Sequence, residues 1–178
     1  MVAPKGDMVY IVTGAPGAGK TTALGALLRL RTDYIIVDGD WLLGAASGLA
    51  KASVLSDRST WRPYRALWFE VLHAIARNGR TPVLFAAIDE GDVEELGDIA
   101  WCGGIAWLLL DCGDSVRRER LRRREGWSEA MIDDALADAA ALRVAVQRRV
   151  DTGAQLPGQI AQAILSWLHG ADVDGHAP

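Results

Sequence analysis

The chain has 178 residues, half of them hydrophobic and 24% charged, with a net charge of −4. That length bounds it to about one sizeable core, and the composition is that of an ordinary globular domain. An acidic balance argues against a general nucleic-acid binder, which is usually basic, and no apolar run reaches the length of a membrane span.

Residues 1–7 read as a short polar lead-in with no signal-peptide pattern. Cys102 and Cys112 show no metal-ligand spacing. Both features predict a cytoplasmic protein in a reducing compartment, without membrane association. Met8 to Thr13 is an apolar, β-branched run, as expected for a buried parallel strand. Gly14-Ala15-Pro16-Gly17-Ala18-Gly19-Lys20-Thr21-Thr22 follows at once and matches G-x-x-x-x-G-K-[ST], the P-loop. A helix is expected from Thr22 to Arg31. The glycines permit close backbone approach, so that loop N–H groups converge into an anion nest. The helix start adds its positive dipole end. Lys20 can reach the β- and γ-phosphates of a nucleoside triphosphate, and Thr21 offers a hydroxyl to Mg²⁺.

A second strand, Tyr34 to Val37, runs into Asp38-Gly39-Asp40. Two carboxylates flanking a glycine at a strand end suit a proton acceptor for an alcohol and a group near Mg²⁺. The plainer alternative is a D-G turn. Asp89, Glu90 and Asp111 are further candidate acids at later strand ends. Trp41 to Leu49 reads as a short helix or ordered loop, and Ser53 to Thr60 as irregular. Trp61 to Arg77 has helical spacing of its apolar residues and is closed by Asn78-Gly79. The segment 41–77 holds Trp41, Arg58, Trp61, Arg62, Tyr64 and Trp68. They read either as core aromatics with surface arginines or as an aromatic-walled pocket for a planar small-molecule acceptor, such as a nucleoside or an aromatic natural product. A phosphorylated acceptor, such as a nucleotide, would instead use one or two of the arginines.

Pro82 to Ile88 is an apolar third strand, followed by a short helix within 89–101. Ile105 to Leu110 is a fourth strand. Ser115 to Arg124 is a basic helix in which Arg120 and Arg124, at i and i+4, share a face. Such a helix before the flexible Gly126 has the form of a closing lid that contacts nucleotide. Arg143, Arg148 and Arg149 are candidates to complete the clamp, and the other arginines read as surface residues. Ser128 is a predicted N-cap for a helix over 129–149. Val150 to Gly153 is a short fifth strand or turn, Pro157 to Leu168 a last helix, and 170–178 a frayed tail. His73, His169 and His176 form no visible site. Strands alternating with helices predict one α/β domain with a parallel sheet, whose ligands collect at the strands' carboxyl ends.

GAPGAGKTT at 14–22, DGD at 38–40, RERLRRR at 118–124 and VDTG at 150–153 together resemble the P-loop small-molecule kinases. These include nucleotide kinases, gluconate and shikimate kinases and chloramphenicol phosphotransferase. The resemblance covers about residues 8–168. It implies a three-layer P-loop NTPase fold with a five-stranded parallel sheet in the order 2-3-1-4-5, helices on both faces and a short lid within 117–147. It further implies ATP, Mg²⁺ and transfer of the γ-phosphoryl group. Lys20, Asp38, Asp40 and Arg124 are implied as catalytic, Arg120, Arg124, Thr152 and Gly153 as nucleotide contacts, and Thr21 with Asp38 as metal contacts. The segment between Arg124 and Ser128 is shorter than the long lids of some adenylate kinases. No nucleoside-monophosphate signature is present, and the acceptor segment is diagnostic of no substrate. Two other activities remain open on the sequence: a regulatory ATPase acting on a protein, and a polynucleotide end kinase.

Overall fold

A computed structural model of the protein describes residues 7–97 and 99–174. The predicted lead-in before Asp7 and the end of the tail, with His176, lie outside the described residues. Five strands form one parallel sheet in the order β2-β3-β1-β4-β5. They are β1 (Asp7–Thr13), β2 (Ile35–Asp38), β3 (Pro82–Phe85), β4 (Cys102–Asp111) and β5 (Arg149–Asp151). Around the sheet are α1 (Lys20–Leu27), α2 (Leu43–Ala50), α3 (Trp61–Arg77), α4 (Glu90–Glu94), α5 (Asp114–Arg122), α6 (Glu129–Ala145) and α7 (Pro157–Asp174). The expected order and parallel sheet are therefore found. Among the described residues no helix is long and apolar enough to cross a membrane.

The chain divides into two compact units. The first takes the residues up to Ile11 together with Asp33–Ala106. In it β2 pairs with β3 in the register Ile35 to Pro82 through Asp38 to Phe85. All four β3 residues are buried, as the apolar run requires of a strand covered on both faces. Helix α3 packs Trp68, Phe69, Leu72 and Ala76 inward, at i, i+1, i+4 and i+8 along one stripe. Strand β3 stops at Phe85, three residues before the expected Ile88. The chain bends there toward a capping box, in which Asp89 and Asp92 each accept the other's backbone N–H.

The second unit takes Val12–Thr32 and the chain from Trp107 onward. Leu109 and Ala15 share a buried cluster with Ala139, Leu142 and Val146, and Leu121, Ile132 and Ala135 form another. Three predicted helices end early. Helix α1 closes at Leu27 because the following residues take i→i−3 bonds, Arg29 to Ala26 and Leu30 to Leu27. Helix α5 ends at Arg122, so Arg124 lies outside it and is not a helical i+4 partner of Arg120. Helix α6 stops at Ala145 because Val146 turns extended and is buried in the cluster, which frees Arg149 to begin β5. The expected Ser128 cap is present, its hydroxyl accepting from the Met131 N–H at 3.2 Å.

Candidate active site

In the second unit the loop from β1 to α1 is held from behind at five successive carbonyls. The Lys20 ammonium donates to Gly14 O. Ala15 O accepts from the Ala18 N–H at 3.1 Å and from Arg117 Nη1 at 3.2 Å. Pro16 O accepts from the same Nη1 at 2.6 Å, and Gly17 O from Arg120 Nη1 at 3.2 Å. The Thr152 hydroxyl donates to Ala18 O at 2.6 Å. A trans peptide sets each N–H antiparallel to the preceding C=O. Pinning Pro16 O and Ala18 O therefore aims the N–H groups of Gly17 and Gly19 away from the residues that hold the carbonyls. Helix α1 starts at Lys20 without a side-chain cap, so its first-turn N–H groups and dipole add to the nest.

Two glycines are required for stated reasons. A Cβ on Gly14 would stand 2.6 Å from Leu110 O. Gly17 has φ +81, and a Cβ there would meet Arg117 Cγ and Leu121 Cγ at 3.1 Å. Thr21 and Thr22 are exposed, and the Thr21 hydroxyl is an oxygen donor at the helix start, suited to a hard cation. Among the described residues no three His, Cys, Asp or Glu assemble into a metal cage. That donor set fits Mg²⁺, which takes most of its ligands from phosphate and water.

Behind the loop lies a network of charges. Arg117 is fully buried, and its Nη2 donates to Asp111 Oδ1 at 2.6 Å. Asp111 also accepts from Arg143 Nε at 2.6 Å, and Arg143 reaches Asp114 at 2.7 Å. Burial pushes the Asp111 carboxyl up, but the Arg143 hydrogen bond and the charges of Arg143 and Arg117 outweigh it and hold the group below the usual carboxylate range. Asp111 is thus engaged with two arginines. Arg143 and Arg149 line an open cavity of about 370 Å³ with Asp111, Asp114 and Asp151.

Arg120 is half-buried; besides Gly17 O it donates to Thr152 O at 2.7 Å. Thr152 itself is buried, its N–H bonded to Asp111 O at 2.7 Å, while exposed Gly153 donates its N–H to Asp151 at 2.7 Å. Arg124 is exposed. Of the arginines read as surface residues, Arg118, Arg122 and Arg123 do pair with acids on exposed faces. Arg117 does not fit that reading. Its signal was available: Leu121 is the one apolar residue of 117–125, and Arg117 stands four before it on the same helical face.

In the first unit Asp38 ends β2, is buried, and accepts the Asp40 N–H on Oδ1 at 3.0 Å, capping the 3₁₀ turn Gly39–Leu42. Asp40 is exposed. Between them, Gly39 O accepts from the Tyr64 hydroxyl and from Trp68 Nε1, the latter at 2.9 Å. Burial raises the Tyr64 pKa, and the charges of Asp40 and Asp38 raise it further. Of the aromatics read either as core or as pocket walls, Trp68 is a buried core residue, and Trp41 and Trp61 are exposed. Trp61 has the Arg58 and Arg65 guanidinium carbons at 5.4 and 5.8 Å from its ring centroid. Arg62 donates to Glu95 O at 2.7 Å, and Arg65 pairs with Asp92 at 2.5 Å. Of the expected acids, Asp89 is half-buried and used as the α4 cap, and Glu90 is exposed. His73 stacks on Trp101 with centroids 4.7 Å apart.

No family model and no curated protein matches the chain. Solved structures do match. One is a sugar kinase from Janibacter sp., 21% identical, with a TM-score of 0.65 over 92% of this chain and 95% of that one. Another is a gluconokinase from Sinorhizobium meliloti, 24% identical, with a TM-score of 0.62 over 97% and 98%. A third is a tunicamycin resistance protein from Deinococcus radiodurans, 18% identical, with a TM-score of 0.63 over 91% and 95%. The fold is that of the P-loop small-molecule kinases. At these identities the likeness is one of fold, and the chemistry must be argued from the residues.

Proposed function

We propose that the chain is an ATP-dependent kinase that transfers the γ-phosphoryl group to a hydroxyl of a small molecule. The observation that carries this reading is the loop 14–19, with its carbonyls bonded from behind and its Gly17 and Gly19 N–H groups aimed the other way, beside Lys20 and Thr21. The names of two structural neighbours, a sugar kinase and a gluconokinase, support it. The proposed domain spans about 8–168, with the lid in 117–147 and the acceptor side in 41–77, and it works in the cytoplasm, where ATP is supplied.

The loop N–H groups and Lys20 bind the β- and γ-phosphates and offset charge as it develops. Thr21 and Asp38 would hold Mg²⁺, Asp38 through the metal's water shell. When bound, Mg²⁺ supplies Lewis-acid charge neutralisation at the phosphates. Arg120 and Arg124 serve the nucleotide, Arg124 at the transferring group. Asp38 accepts the proton of the acceptor hydroxyl, and Asp40 orients the acceptor or assists the metal. The acceptor oxygen forms a bond to the γ-phosphorus, the bond to the β–γ bridging oxygen breaks, and ADP leaves. Trp41, Arg58, Trp61, Arg62, Tyr64 and Trp68 belong to the acceptor side of this reading.

ATP turnover with and without a panel of small alcohols tests the proposal. Strong stimulation by one alcohol, with a phosphorylated product, is the expected result. Stimulation only by a protein would identify a regulatory ATPase, and phosphorylation of a 5′-hydroxyl oligonucleotide a polynucleotide kinase.

A further inference from the structure

Arg117 is the largest fully buried side chain among the described residues, and it is charged. Burying a guanidinium is costly, and a buried ion pair is weak evidence of a stability gain. The charge here is not even fully satisfied, since Arg117 Nε has no hydrogen-bond partner. What the residue does make is specific. One nitrogen, Nη1, spans Ala15 O and Pro16 O, and the other, Nη2, is fixed by Asp111. Asp111 is fixed in turn by Arg143 from the end of α6. A planar fork of this kind holds a direction that a point charge does not.

We propose that Arg117 is a positioning residue for the phosphate nest, set in place by Asp111 and Arg143. By holding Pro16 O it aims the Gly17 N–H, and its charge lies directly behind the loop that receives the phosphates. It touches neither nucleotide nor acceptor; it acts through the loop backbone. Leu121 and the Arg117 stem close on Gly17, whose Cβ position is 3.1 Å from each, so the loop is seated on α5 as well as hydrogen-bonded to it. This inference rests on the nucleotide-binding half of the proposed function and not on the identity of the acceptor.

The test is ATP affinity, measured by calorimetric titration well below the unfolding temperature. R117M keeps the stem and removes the fork. It should weaken ATP binding by about 10- to 100-fold, the loss of two charge-assisted backbone contacts. A core control in the first unit, L72A, should lower Tm comparably and leave ATP affinity at the wild-type value. Unchanged ATP affinity in folded R117M overturns the proposal and makes Arg117 a packing residue only. Should R117M fail to fold, R117K carries the test. It keeps the charge but lacks the fork, and a loss of about fivefold or more is expected; wild-type affinity in R117K overturns the proposal. ATP binding by the wild type without phosphoryl transfer to any alcohol would end the kinase reading and leave this one standing. No ATP binding by the wild type ends both.

Discussion

The P-loop and the acid turn are built in opposite ways. The loop 14–19 is held by its surroundings: donors from α1, α5 and the residue after β5 occupy its carbonyls one after another. The turn Asp38-Gly39-Asp40 is held chiefly at one point, Gly39 O, by two aromatic donors from α3, with Asp38 capping its own turn. Multiple attachment suits a group that must present fixed dipoles to a triphosphate. A single anchored carbonyl suits a pair of carboxylates of which one is buried and one exposed. Under the proposed function, nucleotide affinity belongs to the first region and acceptor chemistry to the second.

Removing Lys20 should produce the largest effect. Lys20→Ala should fold, weaken ATP binding and cut phosphoryl transfer by about 10³-fold or more, since electrostatic stabilisation supplies most of this catalysis. Undiminished turnover in the purified variant would remove the loop from the mechanism. Asp38→Asn should separate the two regions. Product formation should fall about 10²- to 10⁴-fold, the usual cost of losing a general base, while ATP affinity stays within about twofold to threefold. Full product formation by both Asp38→Asn and Asp40→Asn would move the base to Asp89.

A third expectation concerns stability. Asp111 titrates below its ordinary value in the folded protein, so its contribution is complete above the unfolded pKa and is lost as pH falls through the folded one. Asp111→Asn, which leaves Arg117 without its counter-charge, should cost about 3 kcal/mol at pH 7. The gap to wild type should begin to narrow below about pH 4, where the unfolded-state carboxylate protonates, and should close as pH falls through the lower native value. Denaturant titrations of both proteins at pH 7 and pH 3 measure it; a gap that stays constant would mean that Asp111 is uncoupled from the arginines. The smallest effect is expected at the aromatic anchor. Tyr64→Phe loses one hydrogen bond to Gly39 O, about 1 kcal/mol, and should lower kcat about fivefold without changing ATP affinity. A change in ATP affinity instead would tie the anchor to the nucleotide rather than to the acid turn.

Much of the scaffold was legible before any coordinates. Helix α3 has the predicted bounds, Trp61 to Arg77, because an amphipathic stripe and a closing Asn-Gly are local signals. The Ser128 cap and the parallel sheet order were likewise expected and are present. The errors of bounds fell at element ends: β3 stops short at the bend before the Asp89 capping box, and Val146 and Arg124 leave their helices for reasons of burial and i→i−3 bonding that act outside the local periodicity. The use of individual polar side chains was legible least. Arg117 reads in sequence as one more member of a solvated run, and Thr152 as a nucleotide contact implied by the resemblance rather than as a donor to the loop carbonyl of Ala18. Tyr64 and Trp68 read as core or as pocket walls, with nothing to mark them as donors to Gly39 O. The sequence by itself determined where glycines, a lysine and paired carboxylates stand relative to strand ends, because backbone permissiveness and apolar alternation are carried by neighbours in the chain. Only the tertiary structure decided which carbonyl each buried donor serves. Arg117 and Pro16, Thr152 and Ala18, and Trp68 and Gly39 are separated by tens of residues or more, and a hydrogen bond depends on distance in space.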